Sequence, residues 1–302
     1  MLTLHLPTDA VAESDQESLF PHTPRLDDRC FEQAVPESLV IECVRPGSCG
    51  APTEGGEREF LHRRCVQLGH AANERKELLM AHSWFQCAYA CKGSMTELLS
   101  STNMRLNLGQ THLCERLYAH ILGLDLTEEQ RALTERKHGE AQARIQAAGP
   151  AASAVDASRR LSAADELQEL LAAPAANRSS FAPEEERKVL GLLRICGHAA
   201  NDGGDFEAAH TWFDCAYALC GMTCDLLSAA NMRAKLVPTS AVALDAYKHI
   251  LQLGEGERPP PAMQLEMAAS KLASVEAARA ERDARRVGEL PLGALASARE
   301  YA

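Results

Sequence analysis

Two ten-residue stretches carry the side chains best suited to chemistry. AHSWFQCAYA runs from Ala81 to Ala90 and AHTWFDCAYA from Ala209 to Ala218, 128 positions later (209 minus 81), and between them they hold the only two tryptophans of the chain. Each places a histidine five positions before a cysteine, His82 with Cys87 and His210 with Cys215. These residue types serve as base and nucleophile, or as two ligands of a zinc ion. On a helix, however, side chains five positions apart diverge by about 140° at about 100° per residue. One helix therefore cannot bring them onto one ion or into one proton-transfer pair without help from other helices. The same wheel gathers Ala81, Trp84, Phe85 and Ala88 into an apolar seam, with Cys87 and Cys215 at its edge.

The eleven cysteines are an odd number in a chain too long for a small secreted scaffold, which argues for a reducing compartment rather than a disulfide framework. Comparison of the two stretches and their surroundings sharpens this. Cys91 stands opposite Leu219, Cys114 opposite Val242, Cys65 opposite Leu193 and Cys196 opposite Leu68, so cysteine trades places with aliphatic residues as a small hydrophobe would. Cys215, Cys220 and Cys224 are the best local candidates for a redox or metal cluster, but C-x4-C-x3-C is not a zinc-binding spacing.

The elements that carry these residues are helical. Aromatics make up 5% of the chain and hydrophobic residues 46%, a balance that favours closely packed alanine-rich helices over a sheet with large cross-strand side chains. Residues 1–57 contain six prolines and several acids and are expected to form a disordered acidic arm, with SLVIEC at 38–43 compatible with a short strand. Helical blocks are expected at 58–148 and 183–288, separated by an Ala/Ser/Pro-rich linker at 149–182 that contains one helical piece, ADELQELLAA, and followed by a tail at 289–302. Thr127 and Gln130 are placed as a capping box.

The blocks echo each other. GHAAN at 69–73 returns at 197–201, Leu98-Leu99-Ser100 at 226–228, and Asn103-Met104-Arg105 at 231–233. After one extra residue in the second block, RLYAHILGL from Arg116 aligns with DAYKHILQL from Asp245. In the second block Gly197, Ala200, Gly204, Phe206, Ala209, Phe213 and Ala216 follow one another in an order of small and large residues that resembles the tetratricopeptide repeat. The first block offers Gly69, Ala72, Ala81, Phe85 and Ala88, with Lys76 where the second has the turn glycine. The resemblance covers about two repeats in each block. It implies an all-α solenoid of tandem helix-turn-helix repeats in two duplicated modules.

The resemblance also implies a concave groove lined by the first helix of each hairpin. His70, Asn73, Asn103, Asn107 and Arg63 fall on that face in the first block, and His198, Asn201, Asn231, Lys235 and Arg194 in the second. In the repeat family such residues grip a peptide backbone or a terminal carboxylate; here the lysine expected on the first helix is replaced by Val66 and Arg194. The alternative is structural: Asn73 and Asn201 cap their helices in a left-handed conformation, and Asn103, Arg105, Asn231 and Arg233 bond to the terminal carbonyls of a neighbouring helix.

A net charge of −11 argues against a duplex-tracking surface, and no stretch reaches the roughly 18–20 apolar residues of a membrane span. No nucleophile elbow, zinc-protease, phosphate-loop or dinucleotide motif is present. The reading is a cytoplasmic, non-enzymatic adaptor without a cofactor, which binds a peptide or helix of a partner protein and neither nucleic acid nor membrane. The alternatives are a cysteine- and histidine-based metal or redox sensor or enzyme, and a structural protein that self-associates through the open ends of its array.

Overall fold

The computed structural model describes residues 55–148, 163–177, 182–256 and 259–288. Residues 1–54 of the expected arm, with SLVIEC, and the tail at 289–302 lie outside them. Among the described residues there are eleven helices and no strand. They are α1 (Gly55–Glu74), α2 (Leu78–Lys92), α3 (Met95–Asn107), α4 (Thr111–Leu122), α5 (Glu128–Ala148), α6 (Ala163–Asn177), α7 (Pro183–Asp202), α8 (Phe206–Cys220), α9 (Thr223–Leu236), α10 (Ala241–Leu253) and α11 (Ala262–Gly288). None is long and apolar enough to cross a membrane.

Local chemistry sets the helix ends. Pro183 opens α7 with Glu184, Glu185 and Glu186 in its first turn, a ring fixed for helical φ and three acids facing the positive end of the helix dipole. The capping box of α5 forms reciprocally: Thr127 N–H donates to Gln130 Oε1 at 3.1 Å and Gln130 N–H to Thr127 Oγ1 at 3.2 Å. The turn after α1 needs a left-handed residue, and Lys76 takes it at φ 66° where Gly204 takes it at 79° after α7. The loss of glycine in the first block thus leaves the turn intact. It also corrects the capping expectation, since the left-handed position is three residues beyond Asn73 and Asn201, whose carbonyls accept from Lys76 and Gly204 N–H at 3.0 and 3.1 Å.

Successive helices pack as neighbours, α1 to α5 in the first block and α7 to α11 in the second. The small residues decide how closely. A methyl group added at Gly69 would lie 2.9 Å from the Phe85 ring, and one at Gly197 2.9 Å from the Phe213 ring. Both contacts are shorter than carbon atoms tolerate, so α1 reaches α2, and α7 reaches α8, only through glycine. The extra residue of the second block falls in the turn before α10, four residues (237–240) against three (108–110) before α4. Cys114 therefore matches Ala243 rather than Val242, and both are fully buried.

The blocks meet through α2 on α8 and α1 on α7. Residues at matched positions touch across this joint: Cys87 Sγ lies 3.5 Å from Cys215 Sγ (87 + 128 = 215), and Lys188 Nζ lies 4.9 Å from the centre of the Phe60 ring (60 + 128 = 188). A residue that meets its own equivalent marks a twofold relation, as at an isologous dimer interface. Ion pairs of Arg64 with Glu185 and of Arg105 with Glu207 flank it. The joint is continuous with the core of the second block, while the outer end of the first block, around Leu98, Leu113, Tyr118 and Ile121, forms a separate cluster.

The expected linker contains a full helix. α6 packs on α8, α10 and α2 and buries Leu167, Leu170 and Ala173, each leucine contributing about 1.5–3 kcal/mol. Its composition suggested a spacer, yet alanine is the best helix former, and Pro174 is accommodated near the helix end.

Candidate functional site

The histidine and cysteine of each opening stretch do point to different sides. Cys87 and Cys215 enter the joint between the blocks; rather than lying at an edge, both are completely enclosed, because α8 covers the side of α2 that a lone hairpin would expose. Burial pushes the Cys87 thiol well above its ordinary range and Cys215 up to about 11, the opposite of what a nucleophile needs. The histidines turn instead toward α3 and α9, into two buried polar clusters.

In the second block, His210 Nε2 lies 2.9 Å from Asp214 Oδ2, one helical turn along α8, and Arg233 of α9 donates from Nη2 to the same oxygen at 3.1 Å. All three residues are less than 5% exposed. Histidine, carboxylate and guanidinium together suggest proton transfer, but a group sealed from solvent cannot meet a substrate. Here the pair offsets the cost of burying each charge. In the first block Gln86 replaces Asp214 (214 − 128 = 86). Gln86 Nε2 donates to Ser101 Oγ at 2.8 Å, and His82 Nδ1 lies 2.8 Å from the same oxygen. Arg105, matched to Arg233, reaches across the joint to Glu207 at 3.5 Å. Each of the two arginines has a carboxylate partner. The spacing of His210 and Asp214 on one face of α8 was a readable signal of this cluster, and the partner helix was not.

The ten expected groove residues divide into three kinds. Asn103 and Asn231 are structural: their Oδ1 atoms accept from the hydroxyls of buried Tyr118 and Tyr247 at 2.7 and 2.9 Å. Arg194 is committed as well, gripping Asp225 with Nε and Nη2 at 2.8 and 2.7 Å. This two-pronged bond raises its already high pKa further and joins α7 to α9. Arg63, His70, Asn73 and Asn107 lie at the surface of the first block or partly so, with His70 edge-on to Phe85 at 5.2 Å.

Of the remaining three, Lys235 and Asn201 bond to each other and His198 lies one helical turn from Asn201. In the second block, Lys235 Nζ donates to Asn201 Oδ1 at 2.9 Å and stands 4.5 Å from the centre of the Phe206 ring. His198, one helical turn before Asn201, is exposed and edge-on to Phe213 at 5.2 Å. Partial burial, and next the charge of Lys271 on α11, lower the Lys235 pKa. The amide and ring hold a cation in place on a first-helix face, and a second cation lies near it. Exposed apolar residues flank the row: Ile195 three positions before His198, and Met267 of α11, whose sulfur is 3.7 Å from Asn231 Nδ2. Phe206, Lys271, Ile195 and Met267 were not among the expected site residues. Phe206 was visible as a repeat position and Ile195 lies on the same helix as His198, whereas Met267 and Lys271 depend on where α11 lands.

The three candidate cysteines do not converge. Cys215 faces Cys87, while Cys220 donates to Asp225 Oδ2 at 3.3 Å and to the Ala216 carbonyl at 3.2 Å, and Cys224 lies 3.8 Å from Arg194 Nη2. Burial pushes Cys220 up to about 12. Among the described residues no three His, Cys, Asp or Glu side chains are grouped to hold a metal ion. No protein-family model, no curated protein and no solved structure matches the chain.

Proposed function

We propose that the chain is a non-enzymatic adaptor built of two duplicated tetratricopeptide-like blocks, and that the first-helix face of the second block takes a peptide or helix of another protein. The observation that carries this reading is the Lys235–Asn201–Phe206 arrangement, a cation fixed by an amide and a ring beside the exposed apolar side chains of Ile195 and Met267. A fixed cation next to apolar surface suits a segment with an acidic group and a hydrophobic anchor. The first block has Asn107 and Leu78 at the positions of Lys235 and Phe206 (235 − 128 = 107; 206 − 128 = 78), so binding concentrates on the second. The duplication reading is supported by detail repeated in both blocks: left-handed Gly93 and Gly221, both at φ 69°, and the two tyrosine–asparagine bonds.

The test is selection of peptides from a displayed library against the full chain, followed by titration of the selected peptides. Acid-bearing sequences should be enriched, and Lys235→Glu should weaken their binding by at least about tenfold, or about 1.4 kcal/mol. Equal binding to a folded Lys235→Glu variant would reject the site. Arg194 and Asn231 are unsuitable probes because their loss disturbs Asp225 and Tyr247.

A further inference from the structure

Each block buries an acid in the first turn of its third helix, Asp225 in α9 and Glu97 in α3 (225 − 128 = 97). They are 3% and 8% exposed. In the second block Arg194 of α7 meets both oxygens of the acid, Nε donating to Oδ1 at 2.8 Å and Nη2 to Oδ2 at 2.7 Å. The first block has Val66 at the position of that arginine (194 − 128 = 66). Valine brings no donor, so Glu97 stands without the cation that its mate has.

What faces Glu97 instead is His62 of α1, where the second block has Leu190 (62 + 128 = 190). Its Nε2 lies 3.4 Å from Glu97 Oε1, longer than a charge-assisted hydrogen bond. Glu97 Oε2 is buried and has no hydrogen-bond partner among the described residues, and His62 Nε2 makes no hydrogen bond there either. Ser94 and Glu97 are spaced as a capping box, yet the N-cap Ser94 makes no side-chain bond and the carboxylate turns toward α1. The start of a helix eases the burial of an acid, but it supplies no donor to Oε2. Lys92, five residues before Glu97, is paired with Glu59 at 3.1 Å.

A carboxylate oxygen and, in the tautomer protonated at Nδ1, an imidazole nitrogen are two acceptors side by side. They suit a ligand that only donates, and a guanidinium offers five donors in a planar fork. The second block displays that match within one chain, as Arg194 on Asp225. Ser94 and Val66 are half-buried and Thr96 is exposed, so Glu97 lies just beneath the surface and not in the deep core. A net charge of −11 favours approach of a cationic segment.

We infer that Glu97, with His62 beside it, receives an arginine side chain of a partner protein, which takes on Glu97 the position that Arg194 takes on Asp225. His62 and Val66, both half-buried, are the side chains that shift to admit it. The site is independent of the Lys235 row, since it lies on the other block and takes a group of the opposite charge.

The test is titration of the full chain with acetyl-arginine methylamide, followed by amide chemical shifts in NMR, with the citrulline and lysine analogues as controls. The arginine probe should give shifts in α1 and the first turns of α3 that saturate in the millimolar range. Citrulline, uncharged, should give none, and lysine, a point charge without the fork, should bind more weakly. Glu97→Gln should weaken the arginine probe by at least about tenfold. Val66→Arg, which supplies the guanidinium from within the chain, should do the same, whereas Lys235→Glu should change nothing. Absence of saturable shifts in the unmodified protein would overturn the inference, including the case in which another arginine of the chain already occupies Glu97. So would equal shifts from citrulline or lysine, shifts confined to other helices, or binding that survives Glu97→Gln or Val66→Arg in a folded variant. Should one variant not fold, the other and the comparison of probes decide.

Discussion

The two blocks solve the same problem, burial of a histidine and an arginine between adjacent helices, in different ways. In the second block Asp214 lies between His210 and Arg233 and the charges balance inside the block. In the first, the carboxylate is replaced by the amide of Gln86, which pairs with Ser101, and the arginine's charge is met by Glu207 of the other block. Leu79 stands where Glu207 would match (207 − 128 = 79), so the bridge has no twofold mate. Two differences, amide for acid at 86 and 214 and leucine for acid at 79 and 207, place one ion pair within the second block and the other across the joint. The lesson is that a block need not be self-sufficient: a buried charge in one block can be balanced by the other.

The comparison can be broken most strongly at Asp214. Asp214→Ala removes the carboxylate from a buried arginine and should cost about 3–5 kcal/mol in urea unfolding, whereas Gln86→Ala should cost about 1 kcal/mol, the worth of a neutral hydrogen bond. Equal losses would mean that the carboxylate carries no special burden. A second pair of variants asks where the blocks are alike. Gly69→Ala and Gly197→Ala each force a methyl group against a phenylalanine ring at 2.9 Å, and each should lower stability by about 1–3 kcal/mol. A clear difference between the two would show that the hairpins tolerate crowding unequally despite matched geometry. The smallest effect is expected at the joint itself. Glu207 keeps about a fifth of its side chain exposed, so Glu207→Gln should cost no more than about 1 kcal/mol and less at high salt. A double-mutant cycle with Arg105→Lys should return a coupling of similar size, and zero coupling would remove the bridge from the account.

Much of the fold was legible because it rests on short-range rules. The glycines at 69 and 197, the capping box at Thr127 and Gln130, and the all-round burial of Trp84 and Trp212 follow from helical spacing and residue size. The misreadings have a common cause. The stretch that forms α6 reads as part of a linker because its apolar face is short and its composition resembles a spacer; its partners, α8, α10 and α2, are set by tertiary packing. Arg194 looked like a ligand-binding cation because its position faces the groove, and nothing local announced that Asp225 lies 31 residues on and directly opposite. Lys235 remained as a candidate because the residue that holds it, Asn201, belongs to the same face.

The sequence alone determined that the chain is helical, that its two blocks repeat one pattern of small and large residues, and that the histidine and cysteine of each echo cannot act together from one helix. These are consequences of periodicity and side-chain volume within a few turns. Tertiary structure decided that the blocks meet through their second helices about a twofold, that Cys87 faces Cys215, and which arginines are bound and which lysine is presented. Those outcomes depend on long-range packing, where the identity of a partner 20 to 130 residues away, such as Glu207 for Arg105 or Cys215 for Cys87, fixes what each side chain does.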